Sequence, residues 1–267
     1  MSTAQVAADG TLQAGRLLEE KVAIITGASR GIGAAAARAF AAAGAAVVLA
    51  ARSTKDLDDV AGQIMAAGGK ALAVDTDVGD AAAPGRLVQQ ALGAFGRLDA
   101  AFNNAGQGHM PTPLADLSLD DFDTTLRVNA RGVFLTMKYQ IPAMLAGGGG
   151  AIVNMSSTAG LAGAPGMSAY AAGKHAIIGL TQTAALDYGN QGIRVNAIAP
   201  GPILTHNLAR ADDAAREHIG ARLALHRLGQ PEEVAATAVW LCSDEASFIT
   251  GATIPIDGGK LASSAAL

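Results

Sequence analysis

Short apolar runs alternate along the chain with longer segments in which apolar residues recur every three or four positions. The runs cover 21–26, 46–50, 71–74, 98–102, 151–155, 192–198 and 251–256. They are too short for helices of ordinary length and read as strands covered on both faces. The segments 34–43, 54–67, 80–95, 118–145, 168–188 and 231–243 carry helical periodicity, and Pro231 suits a first helical turn, where a missing N–H costs little. Strand and helix in regular alternation predict an α/β chain. The sheet is doubly wound and parallel, with about seven strands and helices on both faces.

Composition narrows the class. The chain has 267 residues, half of them apolar and only 4% aromatic, so its core rests on aliphatic side chains and close backbone packing. The formal charge is −4 with no basic run, which argues against a nucleic-acid partner. Cys242 is the sole cysteine and sits in an apolar helical pattern, so it is expected in the core; no internal disulfide can form, which fits a cytoplasmic protein. No secretory signal is expected at 1–20, no apolar stretch is long enough to span a bilayer, and no metal site is expected. The expected organisation is a flexible arm over 1–17, one domain over 18–260 and a small-residue tail over 261–267. Within that domain the Ala- and Arg-rich segment 206–228 is expected to act as a lid.

The first strand runs into Gly27-Ala-Ser29-Arg30-Gly31-Ile32-Gly33, and an Ala-rich helix follows. Strand, glycine turn and helix in that order suit a pyrophosphate: glycine permits backbone approach, and the helix N-terminus offers free N–H groups. The residues after the second strand are Ala51, Arg52 and Ser53, with no acid before Asp56. A ribose-binding acid is therefore missing, and Arg52 with Arg30 offers a clamp for a 2′-phosphate, so NADP(H) is the expected cofactor and NAD(H) the alternative. Asn103-Asn104-Ala105-Gly106 closes the fourth strand with small residues that suit a backbone passing close to a ligand.

Tyr170 and Lys174 lie four apart in a helical pattern and so project from one face. An ammonium beside a phenol is expected to lower its pKa towards the range useful for proton transfer. Ser157 stands at the end of the fifth strand, thirteen residues before the tyrosine, as a second hydroxyl for a substrate oxygen. Gly31, Asn103 and Ser157 all follow carboxyl ends of strands, where open α/β sheets bind ligands.

These blocks resemble the short-chain dehydrogenase/reductase family over about 18–259. The matching residues are Thr26-Gly-Ala-Ser-Arg-Gly-Ile-Gly33, Asp77-Val78, Asn103-Asn-Ala-Gly106, Asn129 with Gly132, Ser157, Tyr170-x-x-x-Lys174, Pro200-Gly201 with Thr205, and Asp257-Gly-Gly259. Gly173 stands where many members have Ser. The resemblance implies a Rossmann-type fold and reversible reduction of a ketone or aldehyde to an alcohol. It implies Tyr170 as general acid or base, Lys174 as its modulator and nicotinamide-ribose ligand, and Ser157 as the substrate-oxygen ligand. Asn129 would anchor a relay water. Asp77 and Val78 would hold adenine; Asn103, Ala105 and Gly106 would line the cofactor; Pro200 and Gly201 would also bind it, with Ile203 and Thr205 on its carboxamide and phosphate side. A homotetramer, or a homodimer, through the helices at 118–145 and 168–188 is also implied. The alternatives are an NAD-dependent alcohol or sugar dehydrogenase and a non-catalytic NADP(H) sensor or scaffold. Substrate contacts are expected from 107–114, 158–167 and 206–228, and His109 is read as an ordinary loop histidine before a substrate ligand.

Overall fold

The computed structural model describes residues 16–209 and 212–262. The expected arm and tail therefore fall largely outside the described residues, as do two positions of the expected lid. In chain order the first elements are β1 Val22–Thr26, α1 Gly31–Ala42, β2 Ala46–Ala51, α2 Thr54–Ala66, β3 Lys70–Asp75 and α3 Ala83–Phe95. Next come β4 Ala100–Asn103, α4 Leu119–Leu126, α5 Gly132–Ala146 and β5 Gly150–Met155. The last are α6 Ser168–Tyr188, β6 Ile193–Pro200, α7 His206–Ala209, α8 Asp213–Ala221, α9 Pro231–Cys242 and β7 Thr253–Ile256.

The strands form one parallel sheet of seven in the order β3-β2-β1-β4-β5-β6-β7. The order reverses between β1 and β4, the switch point at which such sheets open a crevice. Because side chains alternate along a strand, each apolar run feeds two cores. Ala23, Ile25, Val47, Leu49, Phe102 and Val153 pack beneath α1, α2 and α9. Their neighbours Ile24, Val48, Ala101 and Ile152 pack against α3, α5 and α6. Phe40 and Phe102 stack with ring centroids 6.4 Å apart in the first of these layers. Cys242 is buried there as expected, and burial pushes its thiol up to about 12, which removes it as a nucleophile.

Two boundaries differ from expectation for physical reasons. The first helix begins at Gly31 rather than Ala34, so the glycine turn supplies its first turn. The expected helix over 118–145 is broken by a π-turn at Arg127–Arg131, where the Gly132 N–H reaches back to the Arg127 carbonyl. Among the described residues no helix is long and apolar enough to cross a membrane.

Candidate active site

A cleft of about 1150 Å³ opens at the carboxyl ends of β1 to β6. Its floor is the glycine turn. Gly27 and Gly31 adopt φ +65 and +53, the left-handed region in which a side chain is strained. A Cβ at Gly33 would run into the Gly27 carbonyl, so helix and turn meet only because that position has none. Asn104 fastens the turn to the next loop by donating to the carbonyls of Thr26 (3.0 Å) and Gly27 (3.2 Å). The Ala105 N–H donates to the Thr26 hydroxyl at 3.0 Å. Ser29, Arg30, Gly31, Ile32 and Gly33 all border the cleft, as the phosphate reading expects.

At one end stand Arg52, Ser53, Asp77 and Val78. Arg30 and Arg52 are both exposed and both border the cleft. Asp56 also borders it, and its carboxylate accepts from the Ser53 hydroxyl at 2.8 Å. An acid is therefore present, one helical turn further on than the ribose-binding position. Asp77 accepts from the Gly79 N–H at 2.9 Å and from Arg127 at 3.0 Å. Burial raises its pKa, but these bonds outweigh burial and hold the carboxyl below its ordinary value.

At the other end Ser157, Tyr170 and Lys174 share the cleft with Ala105, Gly106, Pro200, Gly201, Ile203 and Thr205. Ser157 caps a short 3₁₀ turn: its oxygen accepts from the Ala159 N–H at 3.2 Å, which leaves its own proton free to donate. Lys174 is 2% exposed; its ammonium donates to the Met155 carbonyl at 2.8 Å and lies 5.5 Å from the Tyr170 ring centroid. Burial without a carboxylate partner drives its pKa down to about 7.

Three residues stand otherwise than their spacing suggests. Lys174 is expected to make Tyr170 more acidic, yet here burial raises the phenol's pKa, and only the Ser157 hydroxyl opposes that rise. Asn103 does not line the cleft. It is 1% exposed, donates to Gln140 (3.0 Å) and Asn154 (2.9 Å), and accepts from Gln140 (2.9 Å), tying the sheet to α5. The cleft-lining role passes to Asn104, which sequence reading left in the turn. Asn129 is fully buried and does not border the cleft; its side-chain amide pairs with both backbone groups of Gln107, at 2.9 and 2.6 Å. It thus holds the loop that follows Gly106. Gly173 lies against it, since a Cβ there would come within 2.9 Å of the Asn129 Cβ.

Of the expected substrate segments, Gln107, His109, Met110, Met167 and His206 border the cleft, while 158–166 does not. The imidazole of His109 donates through Nδ1 to the Met110 carbonyl at 2.8 Å, a bond local to its loop. Met155, Ser156, Thr76 and Val128 also border the cleft and carry no sequence signal of their own.

The family model described as enoyl-(acyl carrier protein) reductase matches residues 27–260. A 2,5-dichloro-2,5-cyclohexadiene-1,4-diol dehydrogenase of Sphingobium indicum is 44% identical over 248 residues, 91% of this chain and 97% of that protein. A cyclohexanol dehydrogenase of an Acinetobacter species is 42% identical over 238 residues, 89% and 94% of the two chains. Among solved structures, a levodione reductase superimposes with a TM-score of 0.89 at 35% identity, covering 92% of this chain and 99% of the other.

Proposed function

The chain belongs to the short-chain dehydrogenase/reductase family, and from that premise we propose an NADP(H)-dependent enzyme that interconverts a ketone or aldehyde with its alcohol. It is an oxidoreductase of CH–OH groups that uses NAD(P), as its relatives' names agree. The observation that carries the mechanism is the meeting of three groups at one end of the cleft: the Ser157 hydroxyl, the Tyr170 phenol beside it and the buried Lys174 amine.

Those residues fit a dinucleotide. The positive-φ glycines and the start of α1 leave room and N–H donors for a pyrophosphate. Lys174 keeps donor capacity beyond its bond to Met155 and would hold the ribose hydroxyls. A bound nicotinamide supplies or accepts the hydride. Ser157 donates to the substrate oxygen and orients it, and Tyr170 passes a proton to that oxygen in reduction and takes it back in oxidation. Asn129 acts through Gln107, keeping the loop beside Gly106 in place, and its amide keeps one lone pair and one N–H beyond those two bonds for a relay water.

The raised phenol pKa sets a direction. The neutral phenol, the acid needed for reduction, is populated through neutral pH; the phenolate needed for oxidation grows only as pH rises. Reduction is therefore expected to stay level from about pH 6 to 8, and oxidation to climb over that range. Initial rates in both directions check this, and an oxidation rate that falls with pH would contradict it.

The apolar wall of Met110, Val128, Met155 and Met167 favours a medium-sized hydrophobic carbonyl compound, with the 206–228 segment as its cover. Assembly as a homotetramer in the cytoplasm belongs to the same proposal; Leu119 (82% exposed), Phe122, Phe134 and Leu186 (86%) leave apolar area on α4, α5 and α6.

A panel of ketones and alcohols, followed at the nicotinamide absorbance with both cofactors, tests the reading. No turnover on any of them would defeat it. Cofactor preference has its own test. Removing charge-assisted bonds to a 2′-phosphate by Arg52→Ala is expected to raise the KM for NADPH about tenfold to a hundredfold and leave that for NADH unchanged. An unaltered KM for NADPH assigns the enzyme to NAD instead.

A further inference from the structure

The π-turn joins the two ends of the cleft. Its middle residue, Asn129, grips Gln107 at the catalytic end. Its two outer residues face the other way. Arg127 donates to the Asp77 carboxylate at 3.0 Å, and Arg131 donates to the Gly79 carbonyl. Gly79 is buried directly under Arg127, and a Cβ there would collide with the guanidinium. Gly132, at the end of the turn, packs on Val78, where a Cβ would come within 2.9 Å of a Val78 methyl. The whole Asp77-Val78-Gly79 wall is thus seated on one turn of the opposite helix. The wider winding of a π-turn separates these two faces.

We infer that Arg127 and Arg131 are positioning residues for the adenine end of the cofactor. The inference rests on the reading above, in which Asp77 and Val78 hold adenine. An adenine amino group needs an acceptor fixed in direction. Asp77 has two oxygens: one accepts from the Gly79 N–H, and Arg127 pins the other. Arg52 also acts on this carboxylate through its charge, but it forms no hydrogen bond with it among the described residues. Arg127 therefore sets the angle of the carboxylate, and Arg131 holds the backbone that carries it. Neither arginine borders the cleft, so both act through the wall and touch no cofactor.

The test separates the two halves of the dinucleotide. In Arg127→Met, the dissociation constant of NADPH, read from its fluorescence, and the inhibition constant of 5′-AMP are both expected to rise about threefold to tenfold, the range for a half-exposed charge-assisted bond. Inhibition by nicotinamide mononucleotide, which has no adenine, is expected to stay unchanged, and kcat at saturating NADPH to stay within about twofold. Arg131→Met should show the same pattern, and Arg127→Lys should recover part of the loss. General loosening of the fold would weaken both half-ligands together. Equal changes for AMP and the mononucleotide, no change for either, or wild-type protein that binds NADPH but not AMP would each overturn the inference. Wild-type protein that binds no dinucleotide would instead overturn the enzyme reading, and this inference with it.

Discussion

Tyr170→Phe is expected to lower kcat for carbonyl reduction by about 10²- to 10⁴-fold, the range that a positioned general acid contributes. The change deletes one oxygen from a partly buried ring, and the Ser157 hydroxyl is the one hydrogen-bond partner it loses among the described residues. Thermal stability should therefore barely move. NADPH binding should also survive, because the glycine turn, Arg52 and Lys174 are untouched. The discriminating result is this split. Binding follows cofactor fluorescence, turnover follows absorbance, and only turnover should collapse. A variant that keeps more than about a tenth of wild-type kcat would show that the phenol is not the proton donor. Ser157→Ala offers a graded comparison. Its oxygen caps the turn at Ala159 as well as facing the cleft, so a modest loss of stability should accompany its loss of rate.

The sheet was legible because each strand is covered on both faces, so an unbroken apolar run marks it. The glycine turn was legible because only glycine tolerates the backbone of Gly27 and the contact at Gly33. What escaped depends on neighbours that sequence spacing does not reveal. Asn103 and Asn104 are adjacent and chemically identical. Asn103, the last residue of β4, faces inward to Gln140, whereas Asn104 has left the strand and turns back over the glycine turn. The π-turn has no propensity signature; within it Asn129 meets Gln107 while Arg127 and Arg131 meet Asp77 and Gly79. The state of Lys174 was hidden for the same reason. Four-residue spacing puts it beside Tyr170, but whether the amine acidifies the phenol depends on how deeply β5 and the 3₁₀ turn after it bury the amine.

That burial makes Lys174→Met the sharper test of the site. In wild type the folded-state pKa is about 7, below the ordinary lysine value of 10.5 that the unfolded chain keeps. Between those two values the unfolded state holds a proton that the native state lacks, so this group makes stability rise with pH across that window. Below the folded value both states are charged, and the cost of burying the ammonium is fully present. Methionine fills similar volume with no charge to desolvate, at the expense of leaving the Met155 carbonyl without its partner. At about pH 6 the desolvation cost exceeds that lost bond, and cofactor-free Lys174→Met is expected to melt a few degrees above wild type, at about 2–4 °C per kcal/mol. The gain should shrink as pH rises towards 10, where the wild-type amine is neutral in the fold at little cost. Turnover should meanwhile drop by about 10²-fold or more, and NADPH should bind more weakly because the amine that would hold its ribose is gone. Melting curves of both proteins at several pH values, without cofactor, read the first effect; steady-state rates read the second. A variant less stable than wild type at every pH would mean that the lysine braces the cleft wall. A more stable but inactive variant would show that the fold carries a strained amine for the sake of its chemistry.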